Sequence, residues 1–387
     1  MIFILITIFI LVSYAFLIFY YRAAWVNIPD YISSKEIKEN ELPYVSLIIA
    51  ARNEEKNIGN CIQSIINQTY PQNKFEVIVT NDHSSDNTVS IIESFKKLNI
   101  SVINLADFTE KKILNSYKKK SIETALKFAK GELILTTDAD CVVPVKWIET
   151  LVSFYDQKRP VFVALPVAFK NPLPKDLFFK RFFKIFQSLD FMSLQGITGA
   201  SVYKNFHSMC NGANLSYEKK VFYEVGGFEG IDEIASGDDM LLMHKIQKAY
   251  PGKTTFLKSK DVIVETLPAE NLKEFMNQRI RWASKTNKYT DNKIITVLLL
   301  VYLLNAWILI LAISSFFFIK AFYIFLVAII IKIIVELSFL FPVARYFENQ
   351  KLLWWFIPAQ SFHILYTLIA GWLGTFGSYS WKGRKVK

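Results

Sequence analysis

Residues 131–144 read GELILTTDADCVVP. The run from Leu133 to Thr137 is apolar and partly β-branched, the composition of a strand buried on both faces. It ends in Asp138 and Asp140, with only Ala139 between them. In an extended chain residues i and i+2 point to the same side, so both carboxylates emerge together at the mouth of the strand. Two like charges that close resist joint ionisation unless something positive lies between them. A hard divalent cation with oxygen ligands, magnesium or manganese, would relieve the repulsion and bridge onward to a phosphate. The same three residues also make an ordinary turn after a strand. The surrounding chain has to decide.

Upstream, YVSLIIAA (44–51) reads as a buried strand just after Pro43, and the next segment puts Ile58, Cys61, Ile62, Ile65 and Ile66 on one helical face. FEVIVTND (75–82) is a second strand, followed by a helix with Asp86 as its N-cap. ISVINL (100–105) is a third strand, SIETALKFAK (121–130) another helix, and ELILTTDAD (132–140) a fourth strand. Strand and helix alternate, which predicts an α/β fold with a parallel sheet covered on both faces. Ligands of such sheets bind beyond the carboxyl ends of the strands. Asp82 stands at one such end, Asp138 and Asp140 at another. No Gly-x-Gly-x-x-Gly opens a helix and no Walker-type loop is present, which excludes the usual dinucleotide and P-loop sites.

The 387 residues are 52% hydrophobic, with 33 phenylalanines and a net charge of +11, so an anionic ligand or a membrane surface is favoured over a nucleic acid. Three scattered cysteines, Cys61, Cys141 and Cys210, have no metal spacing and fit a reducing compartment. Residues 1–21 carry no charge and lack a signal-peptide cleavage pattern, so they are expected to stay as a transmembrane helix. Three more apolar segments, 294–319, 321–341 and 352–376, are each long enough to cross, with Lys320 and ARYFENQK as connectors. Arg22 follows the first span with nothing basic before it, which puts the polar body in the cytoplasm of a plasma (inner) membrane protein and leaves the side of the C-terminus open. Within the third span, Lys332 and Glu336 lie one turn apart and are placed to neutralise each other. In KDLFFKRFFKIFQSLDFMSLQG (175–196), Phe178, Phe182, Ile185, Leu189 and Met192 form a stripe, with Lys180, Arg181 and Lys184 off it. Residues 175–194 are therefore expected to form a basic amphipathic helix lying at the membrane interface.

Two further stretches carry chemistry. GGFEGIDEIASGDDMLLMHKI sets Asp238 and Asp239 just before a helix, where acids also serve as caps. FMNQRIRWASK offers Gln278, Arg281 and Trp282 ahead of the first C-terminal span, where Arg and Trp also anchor at interfaces. The order Asp82, Asp138-x-Asp140, Asp238-Asp239, Gln278-x-x-Arg281-Trp282 resembles the membrane-bound family 2 glycosyltransferases, over roughly residues 45–282. Relatives with the last motif include cellulose, chitin, hyaluronan and poly-N-acetylglucosamine synthases and the ceramide glucosyltransferases. The third motif departs from that family's usual Glu-Asp or Thr-Glu-Asp, reading Gly237-Asp238-Asp239.

The resemblance implies a GT-A (Rossmann-like) nucleotide-sugar-binding domain at 43–270, a motif-bearing interfacial helix at 271–291, and transmembrane segments at both ends. It implies that Asp82 contacts the nucleoside, that Asp138 and Asp140 hold donor and metal (Mg2+ or Mn2+), and that Asp239 is the general base. Arg281 is then a partner of the donor diphosphate, its planar fork binding oxygens in pairs. Lys120 is a further donor-phosphate candidate, with Lys119 beside it in a lysine run that otherwise reads as solvated. Trp282, Gln278, Asp238 and Asn214 fall on the acceptor side, with Asn211 and Gly212 near them. The implied reaction is inverting transfer of a sugar from a nucleotide sugar, a UDP-sugar foremost, to a membrane lipid. A processive synthase of an extracellular polysaccharide and a non-catalytic nucleotide-sugar sensor are the alternatives; nucleic-acid binding is not expected.

Overall fold

A computed structural model describes residues 2–33, 41–95, 99–109, 116–170, 177–234, 236–285, 291–377, 379–381 and 384–386. They form two compact units. One comprises 29–170 and 208–267; the other comprises 1–28, 171–207 and 268–387. The continuous 43–270 domain expected from the sequence is thus interrupted at 171–207, a segment that groups with the apolar helices.

The first unit is built on a seven-stranded sheet of order β3-β2-β1-β4-β7-β5-β8. Strands β1 (Val45–Ala51), β2 (Phe75–Asn81), β3 (Ile100–Asn104) and β4 (Leu133–Asp138) are parallel neighbours. β1 and β2 are buried almost throughout, as apolar runs covered on both faces must be. Helices α2 (Ile58–Ile66), α3 (Thr88–Ser94) and α4 (Tyr117–Phe128) connect them. α2 buries Ile58, Cys61, Ile62 and Ile65, the expected face. Asn87 rather than Asp86 is the N-cap position of α3, although the Asp86 carboxylate still accepts from the Thr88 N–H. Gly131 opens β4 where no side chain fits: a Cβ there would lie 2.5 Å from the Ser46 nitrogen.

Beyond β4 the sheet is mixed, not purely parallel. After α5 (Trp147–Lys158), strand β7 (Leu215–Glu218) runs antiparallel to both β4 and β5 (Phe162–Ala164), and β8 (Thr254–Phe256) is parallel to β5. A small second sheet pairs β6 (Val167–Phe169) with β9 (Val264–Thr266). Helices α7 (Lys219–Glu224) and α8 (Met240–Ala249) complete the unit.

The second unit is helical: α1 (Ile2–Asn27), α6 (Phe178–Tyr203), α9 (Leu272–Ala283), α10 (Asn292–Ser314), α11 (Ile319–Tyr346) and α12 (Phe356–Phe376). Among the described residues, four helical stretches are long and apolar enough to cross a membrane: Phe3–Asn27, Asn292–Ser314, Ile319–Tyr346 and Gln350–Phe376. The second ends earlier than expected, because Ser314 closes a turn by accepting from the Phe317 and Phe318 N–H groups, and Lys320 joins α11 instead of a connector. Lys332 and Glu336 do pair, at 2.8 Å, with Tyr14 of α1 and Gln360 of α12 completing the cluster. Buried charges inside a bundle are tolerable only when satisfied in this way.

α6 begins where the amphipathic helix was expected and runs on to Tyr203; residues 175 and 176 of that expectation lie outside the described ones. Its stripe divides. Ile185, Leu189 and Met192 are buried, whereas Phe178 is largely exposed, as are Leu177 and Phe179 beside it. α9 covers 272–283 of the expected 271–291, with Asn271 capping it; 286–290 lie outside the described residues.

Candidate active site

The site of the first unit forms where β2, β1 and β4 end together. Register pairs Ala51 with Asn81 and Ala50 with Asp138, so Asp82 and Asp138 leave the same sheet edge two strands apart, about 10 Å by strand spacing. Asp82 is buried. Its N–H donates to the Ala51 carbonyl, and its carboxylate faces Arg52 at 3.6 Å and His83 Nδ1 at 2.9 Å. Arg52 also donates to the Asp82 carbonyl. Arg52 is not recognisable as a site residue from sequence, because its contact depends on how β1 and β2 align, whereas His83 is the next residue along the chain from Asp82.

Asp138 and Asp140 flank a turn closed by the Cys141 N–H donating to the Asp138 carbonyl. The turn is braced from outside the main sheet. Val142 exchanges two backbone hydrogen bonds with Glu265, and the Thr266 hydroxyl donates to Asp140 Oδ2 at 3.3 Å. Asp138 Oδ1 accepts from the Lys118 ammonium at 2.8 Å, and that ammonium lies 3.2 Å from Asp238 Oδ2. Burial works against the Lys118 charge, but Asp138 and Asp238, with Asp239 behind them, outweigh it and hold its pKa above the ordinary lysine value.

The lysine in this position is therefore Lys118. Lys120 pairs with Glu123 on the helix surface, and buried Lys119 donates to the carbonyls of Ile231, Ile234 and Ser236, holding the segment that leads to Asp238. The expectation for Lys120 is corrected for a physical reason. α4 starts at Tyr117, not Ser121, so the three lysines wind around a helix at about 100° per residue and face three ways.

Asp239 is the N-cap of α8. Its Oδ1 accepts from the Met240 N–H at 2.7 Å and its Oδ2 from the Gly212 N–H at 3.0 Å. The residue before the pair, Gly237, has φ +85°, which a β-branched residue would not tolerate. Gly212 is tightly enclosed: a Cβ there would lie 3.1 Å from both Asp238 Oδ2 and Lys118 Nζ. Gly212→Ala is expected to fold normally yet lose about tenfold in activity, since small displacements of reacting groups are costly. Unchanged turnover by the purified variant would contradict that.

Asn214 is not on the site's surface. It is fully buried, its amide donates to the carbonyls of Pro166 and Val262, and its oxygen accepts from Trp147 Nε1. It is a cross-link within the fold, with nothing left to offer an acceptor. Asn214→Ala strands those groups and is expected to destabilise the chain by about 3 kcal/mol, read as a lower unfolding midpoint. Asn211 likewise spends its side-chain oxygen locally, on the Ala213 N–H.

The donor set suits a hard cation. Asp138 and Asp140 present carboxylate oxygens, and the nearby Cys61 and Cys141 thiols are pushed up first by burial, then by Asp140 and Asp138. Carboxylate oxygens are hard donors, so the arrangement fits magnesium or manganese. Among the described residues no three His, Cys, Asp or Glu side chains converge to cage a metal alone.

In the second unit, α9 carries Gln278, Arg281 and Trp282, all half-buried. The Gln278 side-chain oxygen accepts from Arg279, whose guanidinium carbon lies 4.3 Å from the centre of the Trp282 ring. Arg279, absent from the motif as read in the sequence, is the residue that touches both.

A mixed but mainly parallel sheet with acids at the carboxyl ends of β2 and β4 defines an α/β domain of the GT-A kind. Residues 46–225, a little under half of the chain, match the sequence model of the family described as Glycosyl transferase family 2. Glycosyltransferase AglE of Haloferax volcanii is 34% identical over 112 residues, 29% of this chain and 35% of the relative. Beta-monoglucosyldiacylglycerol synthase of Trichormus variabilis is 27% identical over 139 residues, 34% of this chain and 28% of the relative. In both cases most of the relative's length lies outside the match. Among solved structures, mannosyltransferase PcManGT from Pyrobaculum calidifontis, in complex with GDP-Man and Mn2+, aligns over 97% of this chain and 99% of its own. The TM-score is 0.57 at 20% identity, a likeness of fold.

Proposed function

We propose that this chain is a membrane-anchored, inverting glycosyltransferase that moves a sugar from a nucleotide-sugar donor, a UDP-sugar foremost, to a membrane lipid with the help of a divalent cation. The observation that supports it most is the Lys118 bridge. It joins Asp138, at the end of β4, to Asp238 ahead of α8, with Asp239 hydrogen-bonded at Gly212 beside it.

In this reading Asp82, steadied by Arg52 and His83, meets the nucleoside, and Asp138 and Asp140 would hold a magnesium or manganese ion, which neutralises diphosphate charge when bound. Lys118 orders the two acidic segments around the donor. The acceptor hydroxyl attacks the anomeric carbon opposite the diphosphate, the carbon–oxygen bond to the diphosphate breaks, and the hydroxyl proton passes to Asp239. One displacement inverts the anomeric centre. The two backbone N–H groups on Asp239 fix its orientation. Arg281 is assigned to the diphosphate, Gln278 and Trp282 to the acceptor.

Four apolar helices and Arg22 after the first of them support a plasma (inner) membrane protein that draws its donor from the cytoplasm. The Trichormus relative, named for a glucosylated diacylglycerol, favours a lipid acceptor. The test is product analysis with radiolabelled nucleotide sugar and native lipids. Label in a discrete, organic-soluble glycolipid is expected; label in a long polymer would replace this reading with a processive synthase.

A further inference from the structure

Arg279 is only 4% exposed, although it lies on a helix whose outer residues are largely polar. A buried guanidinium is costly unless its donors are met and its charge is paired. Here Nη2 donates to Asp190 Oδ2 of α6 at 2.5 Å, and Nη1 donates to Gln278 Oε1 at 2.9 Å. The other Asp190 oxygen accepts from the Tyr366 hydroxyl of α12. The flat cation covers the Phe275 ring at 4.6 Å and the Trp282 ring at 4.3 Å, a contact that strengthens when water is excluded. Around this chain of partners pack Phe186, Phe275, Ile280 and Tyr366.

Two consequences follow from donor chemistry alone. Arginine has five N–H donors and no acceptor, so the Gln278 side chain must turn its carbonyl oxygen toward Arg279. Its amide N–H groups are then what it offers elsewhere. The guanidinium covers the Trp282 indole and the Phe191 ring packs beside it, centroids 6.3 Å apart, so what a ligand meets is the part of this half-buried ring that stays exposed.

We propose that Arg279 is a positioning residue for the acceptor: anchored by Asp190, it presents Gln278 as a hydrogen-bond donor and holds the Trp282 ring in a single orientation. This rests on the glycosyl-transfer reading above. Lysine does not replace this arginine, because an ammonium paired with Asp190 lacks the planar fork that also reaches Gln278 and covers the ring.

The test uses the full chain in lipid nanodiscs, with donor and acceptor varied separately. For Arg279→Lys, the acceptor KM is expected to rise about tenfold or more with the donor KM within twofold, the mark of lost acceptor binding. Its tryptophan emission should differ from wild type, and the difference should vanish when both are compared in a Trp282→Phe background. Gln278→Glu is the second variant and is favourable for folding, since a carboxylate keeps the bond to Arg279 and removes only the N–H donors. It should raise the acceptor KM as much as Gln278→Ala does. An acceptor KM within twofold of wild type for Gln278→Glu, or equal rises in donor and acceptor KM for Arg279→Lys, would overturn the proposal. If the wild-type chain transfers no sugar from any nucleotide donor, the glycosyl-transfer reading falls and this inference with it. A wild type that transfers, alongside unaffected variants, removes this inference alone.

Discussion

Asp239→Asn is expected to lower turnover by about 100-fold to 10,000-fold, the range supplied by a positioned general base. Donor affinity should change little, because Asp239 is assigned to the acceptor proton and not to the nucleotide. Asparagine matches aspartate in shape but has one carbonyl oxygen where the carboxylate has two acceptors. It can serve the Met240 N–H or the Gly212 N–H, not both, and the amide then faces a donor with a donor. A destabilisation of about 1–2 kcal/mol should accompany the kinetic loss, from the one hydrogen bond left unmade. Single-turnover rates beside donor titrations separate the effects. Turnover within tenfold of wild type would take Asp239 out of the base role.

Metal removal has the second large effect. Excess chelator is expected to stop transfer, and magnesium or manganese to restore it, because the departing diphosphate needs its charge neutralised. Zinc should restore less well, since the carboxylate oxygens of Asp138 and Asp140 are hard donors that suit magnesium or manganese. Asp140→Ala should raise the metal concentration needed for half-maximal rate while leaving folding intact. Its carboxylate touches the rest of the chain through Thr266 and the Cys141 thiol among other contacts. Full activity in chelator would show that transfer proceeds without a cation.

Much of this was legible in the sequence because apolar runs and their terminal acids report local physics. A charge interrupts an apolar run, so Asp82 and Asp138 mark the ends of β2 and β4, although Asp82 is itself buried with Arg52 and His83 against its carboxylate. Other features depend on neighbours that pattern does not reveal. KKK at 118–120 reads as one solvated run, yet the start of α4 turns Lys118 toward the acids, Lys119 into the core and Lys120 outward. Asn214 looks like a loop residue offering an amide, but its three partners come from distant segments. β5, β7 and β8 are three or four residues long, too short for periodicity to give their direction. Arg279 sits between the named positions of its motif, and only its burial against Asp190 distinguishes it.

The most direct trial of the central claim is a nucleoside-diphosphate release assay with the purified chain in native lipid, run over a panel of nucleotide sugars with manganese or magnesium. The account expects one donor to be consumed and that consumption to disappear in Asp140→Ala. Release that is equal in wild type and Asp140→Ala, or a panel in which no donor binds or reacts, would contradict it.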